Sequence, residues 1–460
     1  MNLPASDKPF ALPAERDACA IIGFINKLGN PTHGNLQRTI DALIKMGHRA
    51  GEIRGEGDGC GLLTDIPRLL WRERLTQAGH SPEQVDDADF VVAHLLLPAE
   101  AAVPDAALRS LVLKQFSAAG LQLLIERPCP VRSEVLSASA RQTEPFFWQL
   151  AFQGPTEGDL AKTLYDLHLT LETRLPVHVA SLSTQVASYK VLGAPELLAR
   201  YYPDLKRRDF LSSLTIGHSR FSTNTLPDVL RAQPFSLLGH NGEINTIQRL
   251  REEAHLLGME LPPGGSDSQD LNRILEGLIR RLDLTLFEAM ELVFPPIFDA
   301  HDQLPDELQP MYEFFRRLFQ ASAQGPAAII ARHGGQCVFS VDAMGLRPLW
   351  FGETEREYFV SSEVGVVSQD EIVTDPKTLA PGEKIGLLAS PGQPAVVLSH
   401  EELRQEAYRR FRRRTSLTGH TGKLSDARDL AAAALPAKAA FGRCRDLLQD
   451  NLLSALAWKN

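Results

Sequence analysis

Cys19 heads an apolar, β-prone run, Cys19-Ala20-Ile21-Ile22-Gly23-Phe24-Ile25, and its type and place are the first hint of chemistry. A cysteine nucleophile needs a base for its proton, donors for an oxyanion, and groups that orient the substrate. Two kinds of base would serve. A histidine can take the proton, and His218 and His240, each among polar residues, are candidates. Alternatively the bond before Cys19 is cut, and the freed α-amine acts as base. The reference pKa of that amine, about 7.7–8.0, is near the thiol value of about 8.5, so the transfer is nearly balanced. A cysteine that enters a strand this early in the chain favours the second arrangement. Taken alone, a cysteine before a β-run is more often an inert core residue.

Three further stretches supply the other roles. Arg220-Phe221-Ser222-Thr223-Asn224-Thr225 and His240-Asn241-Gly242-Glu243-Ile244-Asn245-Thr246 each follow an apolar run, and Gly265-Ser266-Asp267-Ser268 lies in a loop soon after. Together they offer a fixed cation, a side-chain amide beside a glycine N–H, and a carboxylate. A free α-amino acid with an amide side chain calls for this set. Guanidinium takes an α-carboxylate bidentately, and a carboxylate takes an α-ammonium. An amide with a neighbouring N–H can hold an oxyanion, and glycine lets the backbone come close. Each piece alone has a plain structural explanation, since Asn-Gly is a common hairpin turn and an arginine after a strand is usually a surface residue. Their order behind an early cysteine gives them weight.

The elements that must carry these residues can be read from periodicity. A helix is expected after Pro31, with Leu36, Ile40, Leu43 and Ile44 on one face and Gly47 as its stop. Helical patterns at 66–78, 106–119, 160–175 and 195–202 alternate with strand-like runs at 90–97, 121–125, 146–152 and 177–183. That region thickens the domain and carries no chemical motif. Strands are expected at 214–216 and 235–238, helices at 247–257 and 271–282, and strands at 327–331, 337–341, 348–352, 358–361 and 383–388. Strands at both ends with helices between imply α+β layers with two packed sheets. The basic stretch 404–414 and the Ala/Leu-rich run 427–458 read as a solvated helix face and a packing helix, ahead of a docking element.

The composition excludes several classes. The chain has 460 residues, 43% hydrophobic and 23% charged, with a net charge of −9, which argues against a nucleic-acid or anionic-membrane surface as main partner. No apolar run reaches the roughly 20 residues of a membrane span. Residues 1–18 lack the apolar core of a secretory signal. Five scattered cysteines fit a reducing, cytoplasmic protein. None of them pairs at metal-ligand spacing, so no metal site is expected. No dinucleotide or phosphate-loop glycine motif is present, and the glycines of 55–61 read as a tight structural turn.

With these residues in hand, the sequence resembles the class II (N-terminal-nucleophile) glutamine amidotransferases, in particular the glutaminase domain of the glutamate synthase large subunit. The matching stretches are Cys19–Phe24, Gly47-His48-Arg49, Gly57–Gly61, Arg220–Thr225, Ala232-Gln233-Pro234-Phe235 and His240–Thr246. They continue with Ser266-Asp267-Ser268, Gly325-Pro326-Ala327-Ala328, Gly345-Leu346-Arg347-Pro348 and Ser362-Glu363-Val364-Gly365, so the match spans about 19–390 in order. The resemblance implies a four-layer αββα sandwich and hydrolysis of the glutamine side-chain amide. It makes Cys19 the nucleophile with its own amine as base, and Asn241 and the Gly242 N–H the oxyanion hole. Arg220 and Thr223 would bind the α-carboxylate, and Asp267 the α-ammonium.

The implied organisation is a leader at 1–18, an amidotransferase domain at 19–400, and a basic, helical tail at 401–460. Ser219, Phe221, Ala50 and the stretch 294–298 depart from the family pattern and bear on loop motion, the substrate seal and the branch of the family. The family's synthase also carries flavin and iron–sulfur regions for which this sequence has no counterpart. No cofactor is therefore expected in this chain, and FMN and an iron–sulfur cluster are expected on an ammonia-accepting synthase partner. The alternatives are an amidotransferase serving another ammonia acceptor and a non-catalytic, glutamine-sensing homologue.

Overall fold

The computed structural model describes residues 19–49, 52–53, 56–98, 105–220, 228–296 and 304–417. Ala20–Asn26 shows why two sheets stack on one another. Its residues are buried on both faces: Ala20, Ile22 and Phe24 in one core, and Ile21 and Ile25 in another. A strand with period-2 alternation between two apolar cores reads as a continuous hydrophobic run, and this one does.

That strand is central in a seven-stranded antiparallel sheet. The order is Ile372–Thr378, Trp350–Thr354, Glu357–Ser361, Ala20–Asn26, Leu214–Ser219, Cys60–Asp65 and Val186–Val191. A five-stranded antiparallel sheet faces it, in the order Leu238–Gly242, Ala327–His333, Gln336–Val341, Lys384–Ser390 and Gln393–Leu398. Ile21, Ile25, Leu63 and Ile216 from the first sheet meet Ala328, Ile330, Phe339 and Leu387 from the second. On the outside of the first sheet lies helix His33–Lys45, through Leu36, Ile40 and Leu43. Outside the second lie Asp267–Leu282 and Leu286–Val293, through Leu271, Ile274, Leu275, Leu278 and Phe287. The layers run helix, sheet, sheet, helix, the αββα order that the resemblance implied.

The long middle region forms a third sheet, Gln122–Pro128, Phe146–Gln153, Phe90–Leu97 and His178–Ser183. Helices Ala106–Ala118 and Leu160–Arg174 cover one face, and Phe90, Val92, Phe147 and Ala151 on the other join the core outside the first sheet. It thickens the molecule, as expected. The basic stretch divides in the structure. Helix His400–Leu417 turns Leu403, Ala407 and Phe411 into the core outside the second sheet, and Arg414 pairs with buried Glu288 at 2.9 Å. Arg409 and Arg410 stay outside and pair with Glu406. The leader 1–18 and the predicted helix at 427–458 lie outside the described residues. Among the described residues no helix is long and apolar enough to cross a membrane.

Candidate active site

Cys19 immediately precedes Ala20–Asn26, and Arg220 immediately follows Leu214–Ser219. In the ladder Ala20 opposes Ser219 and Ile21 opposes His218, so Cys19 and Arg220 stand at the same end of paired neighbours. On the other side Ser219 opposes Cys60, and the Arg220 N–H donates to the Gly59 carbonyl at 2.8 Å. Asp58, Gly59, Arg220 and Cys19 therefore collect at one end of three neighbouring strands. Partial burial lowers the Arg220 pKa from its ordinary value, while the Asp58 carboxylate and the Cys19 sulfur pull it back up. Cys19 is half-buried and free of any disulfide.

The second sheet supplies the rest. A Cβ built on Gly239 would lie 3.1 Å from Ile21 Cδ1, so strand Leu238–Gly242 crosses directly over the Cys19 strand. One residue on, the His218 Nε2–H donates to the His240 carbonyl at 3.0 Å. A Cβ on Gly239 would also lie 3.5 Å from Ile216 Cγ2, so from Gly239 over Ile216 to His240 over His218 the strand follows Leu214–Ser219 towards the end where Arg220 stands. Asn241 and Gly242 come next. Asn241 is 1% exposed, and its Nδ2 has no hydrogen-bond partner among the described residues. A buried amide left unpaired costs about 1–3 kcal/mol, so a built donor in this state calls for a ligand.

Gly242 cannot be another residue. Its φ is 136°, and a Cβ there would sit 1.8 Å from the Pro326 carbonyl oxygen. Gly242→Ala is expected to turn the 241–243 peptides away and lower kcat for amide hydrolysis by on the order of 10²-fold or more. An alanine variant with unchanged kcat would show that this backbone takes no part.

Asp267 opens helix Asp267–Leu282, which Ser266 caps with Gln269 in a reciprocal capping box. One oxygen of Asp267 accepts from the Ile244 N–H at 2.9 Å, and the other accepts from the Ser268 N–H at 2.7 Å. The helix thus holds the loop leaving Gly242 as well as presenting a carboxylate. Asp342 does similar work on the far side, taking the Ala327, Leu346 and Arg347 N–H groups at 3.1, 2.9 and 3.3 Å. Ser362 fixes the nucleophile's strand: its N–H donates to the Ile21 carbonyl at 2.9 Å, and its Oγ accepts from the Ile21 N–H at 3.1 Å. Its neighbour Glu363 receives Arg49 Nε at 2.6 Å and His48 Nε2 at 3.0 Å, which ties two distant motif stretches together.

Of the six candidate residues, the structure places Cys19 and Arg220 side by side at one end of the first sheet, and Asn241, Gly242 and Asp267 near one another at the end of Leu238–Gly242, while Thr223 lies outside the described residues. His218 and His240, the candidate bases, each have one ring nitrogen engaged, while His218 Nδ1 and His240 Nε2 have no hydrogen-bond partner among the described residues. Burial lowers the His218 pKa to about 3, and its Nε2–H is spent on a main-chain carbonyl. His240 is also pushed down by burial, and its Nδ1 lies 2.8 Å from Ser268 Oγ. The expected 235–238 strand begins at Leu238 and runs on through His240-Asn241-Gly242, and the 214–216 strand extends to Ser219, so the polar motifs are themselves strand. Sequence reasoning quoted Gln233, Ser268 and Ser362 within motifs but gave them no role. Only Gln233 carried a signal, a polar residue between the apolar Ala232 and Pro234.

Burial also holds His94 and His178 down to about 4 and His333 to about 3, from an ordinary value of 6.5. Their folded values lie below the unfolded one, so the unfolded chain binds protons first as pH falls. Stability is then complete above about pH 6.5 and declines towards pH 4, by up to about 1.4 kcal/mol per pH unit for each histidine. Urea midpoints measured across that range check this, and a flat profile would contradict it.

A family model described as "Glutamine amidotransferases class-II" matches residues 19–411. Ferredoxin-dependent glutamate synthase 2 of Synechocystis sp. is 31% identical over 439 residues, covering 89% of this chain and 28% of that protein. The chloroplastic ferredoxin-dependent glutamate synthase of Spinacia oleracea is 32% identical, covering 83% and 25%. The glutamate synthase [NADPH] large chain of Azospirillum brasilense is 29% identical, covering 82% and 27%. Among solved structures, the glutamine phosphoribosylpyrophosphate amidotransferase from B. subtilis aligns with a TM-score of 0.39 and 13% identity, covering 83% of this chain and 49% of that one. The chain belongs to the class II glutamine amidotransferases, and it is homologous to glutamate synthase large chains. It spans about a quarter of the length of those relatives.

Proposed function

We propose that the chain hydrolyses the side-chain amide of glutamine through a thioester on Cys19 and hands the ammonia to a synthase that makes glutamate. The observation that carries this reading is the buried Asn241 Nδ2 beside Gly242, which has no hydrogen-bond partner among the described residues. Residues 1–18 are a leader whose removal leaves Cys19 with a free α-amine. The start of the family match at Cys19 supports that boundary.

In this mechanism the α-amine takes the Cys19 thiol proton, and the sulfur attacks the amide carbon. The oxyanion is held by Asn241 Nδ2 and the Gly242 N–H. The protonated amine then gives its proton to the leaving nitrogen, and ammonia departs with the C–N bond. Water, deprotonated by the same amine, attacks the thioester. Glutamate leaves and the thiol is restored. Arg220 and Thr223 hold the α-carboxylate of glutamine, and Asp267 holds its ammonium. Every group in this hydrolysis is a side chain or main-chain atom, so it needs no cofactor of its own. FMN and an iron–sulfur cluster belong to the ammonia-accepting synthase.

The amine-base reading is tested at His218. A glutamine there keeps a donor for the His240 carbonyl but cannot act as a base. His218→Gln is expected to retain kcat within about tenfold, whereas loss of a general base costs 10²–10⁴-fold. A fall of that larger size, with glutamine KM unchanged, would assign the base to His218.

A further inference from the structure

The strand that carries Asn241 and Gly242 is held at every turn by groups outside its own sheet. Asn272 Oδ1 accepts from the Leu237 and Leu238 N–H groups at 3.0 and 3.2 Å. The Gln233 side chain then spans the main chain of His240: the His240 N–H donates to Oε1 at 2.7 Å, and Nε2 donates to the His240 carbonyl at 3.1 Å. Ser268 Oγ lies 2.8 Å from His240 Nδ1 and accepts from Gln233 Nε2 at 3.4 Å. Asp267 takes the Ile244 N–H beyond Gly242. Ser268 and Asn272 are four residues apart, so both face the strand from one side of the helix.

Gln233 is itself immobilised. It is 6% exposed, and its main chain lies so close to the Cys60–Asp65 strand that a Cβ on Gly61 would meet the Gln233 carbonyl oxygen at 2.6 Å. Ser188 Oγ donates to the carbonyl of the next residue, Pro234, at 3.1 Å. The amide can be oriented only one way, because an N–H must meet Oε1 and a carbonyl must meet Nε2. Gln233 therefore belongs to the first sheet by its backbone and to the second by its side chain.

We propose that Gln233, with Ser268, is a positioning residue for amide hydrolysis, a bridge that fixes the residue before Asn241 so that the Asn241 and Gly242 donors keep their aim over Cys19. This rests on the oxyanion reading of Asn241 and Gly242 above. Gln233 touches neither nucleophile nor substrate in this account. Its effect passes through the Asn241–Gly242 peptide, because His240 is held from both sides and the chain beyond it is tied at Ile244.

The test is a double-mutant cycle on the full chain with glutamine as substrate. Gln233→Met removes all three side-chain hydrogen bonds at similar volume, and Gln233→Glu keeps the acceptor for the His240 N–H in case the methionine variant folds poorly. Each is expected to lower kcat by on the order of 10- to 100-fold with KM for glutamine nearly unchanged. In an Asn241→Ala background the same substitutions are expected to cost less than they do alone, since one of the two donors they aim is gone. Additive losses in the cycle, or a rise in KM with kcat preserved, would overturn the positioning role. Asn241→Ala with wild-type kcat would instead overturn the oxyanion reading beneath it. Ser268→Ala is expected to behave like a weaker Gln233 substitution, and a Ser268 effect that adds to that of Gln233→Met would also count against the bridge.

Discussion

Cys19→Ala is expected to abolish glutamine hydrolysis while the protein still binds glutamine. Deleting a catalytic nucleophile removes the bond-forming atom, and such losses run on the order of 10⁶-fold in kcat. The proposed binding groups, Arg220 and Asp267, are untouched by the substitution, so calorimetry should still register glutamine. No other described cysteine can substitute. Cys60, Cys129 and Cys337 are buried, and desolvation raises all three thiols well above their ordinary value, Cys337 to about 12, so none forms thiolate readily at neutral pH. An alanine variant that still releases ammonia at the wild-type rate would place the nucleophile elsewhere. One that bound no glutamine would show that the sulfur is needed to build the pocket.

The second large effect is expected at Asn241. Removing one oxyanion donor costs roughly 10²–10³-fold in kcat, about 2.7–4 kcal/mol of transition-state stabilisation. Asn241→Ala should show this loss with a nearly unchanged KM, because the donor meets charge that develops only in the transition state. The folded protein should not suffer from the loss of the side-chain Nδ2, which has no partner among the described residues to leave behind. Asn241→Asp separates donation from shape, since it replaces the N–H donor with an acceptor of the same size. It should be at least as inactive as the alanine variant. Full activity in either would remove Asn241 from the oxyanion hole and leave its buried amide unexplained.

The legibility of this fold varied with how local its causes are. The Cys19–Ile25 run can be read as strand because both its faces are apolar, and residues 20–25 are buried in the strand Ala20–Asn26. The helix after Pro31 followed from Leu36, Ile40 and Leu43, which cover the first sheet as their spacing implies. The second-sheet strand begins three residues further along the chain than its apolar pattern implies. Its apolar residues pointed to 235–238, while the actual strand, Leu238–Gly242, includes a histidine, an asparagine and two glycines. Those residues tolerate a buried strand because Gln233 and Ser268 satisfy His240 from outside the sheet, a fact that no period-2 count contains. Strand order was equally hidden. Ala20–Asn26 pairs with Leu214–Ser219 and Glu357–Ser361, almost two hundred and more than three hundred residues away, and only the closed core decides such pairings. The site was more legible than the topology, because the types of Cys19, Arg220, Asn241, Gly242 and Asp267 name their chemistry even before their neighbours are known. Gln233 and Ser268 escaped notice for the opposite reason, since their work is to hold other residues in place.

The central claim is that Cys19 is a chain-terminal nucleophile. Intact-mass measurement of the active protein, before and after a glutamine-analogue electrophile, tests it most directly. The account predicts a mass that begins at Cys19, a single adduct after treatment, that adduct on Cys19, and loss of hydrolysis in proportion to labelling. A fully active protein whose mass retains residues 1–18, or an adduct on any other residue, would contradict it.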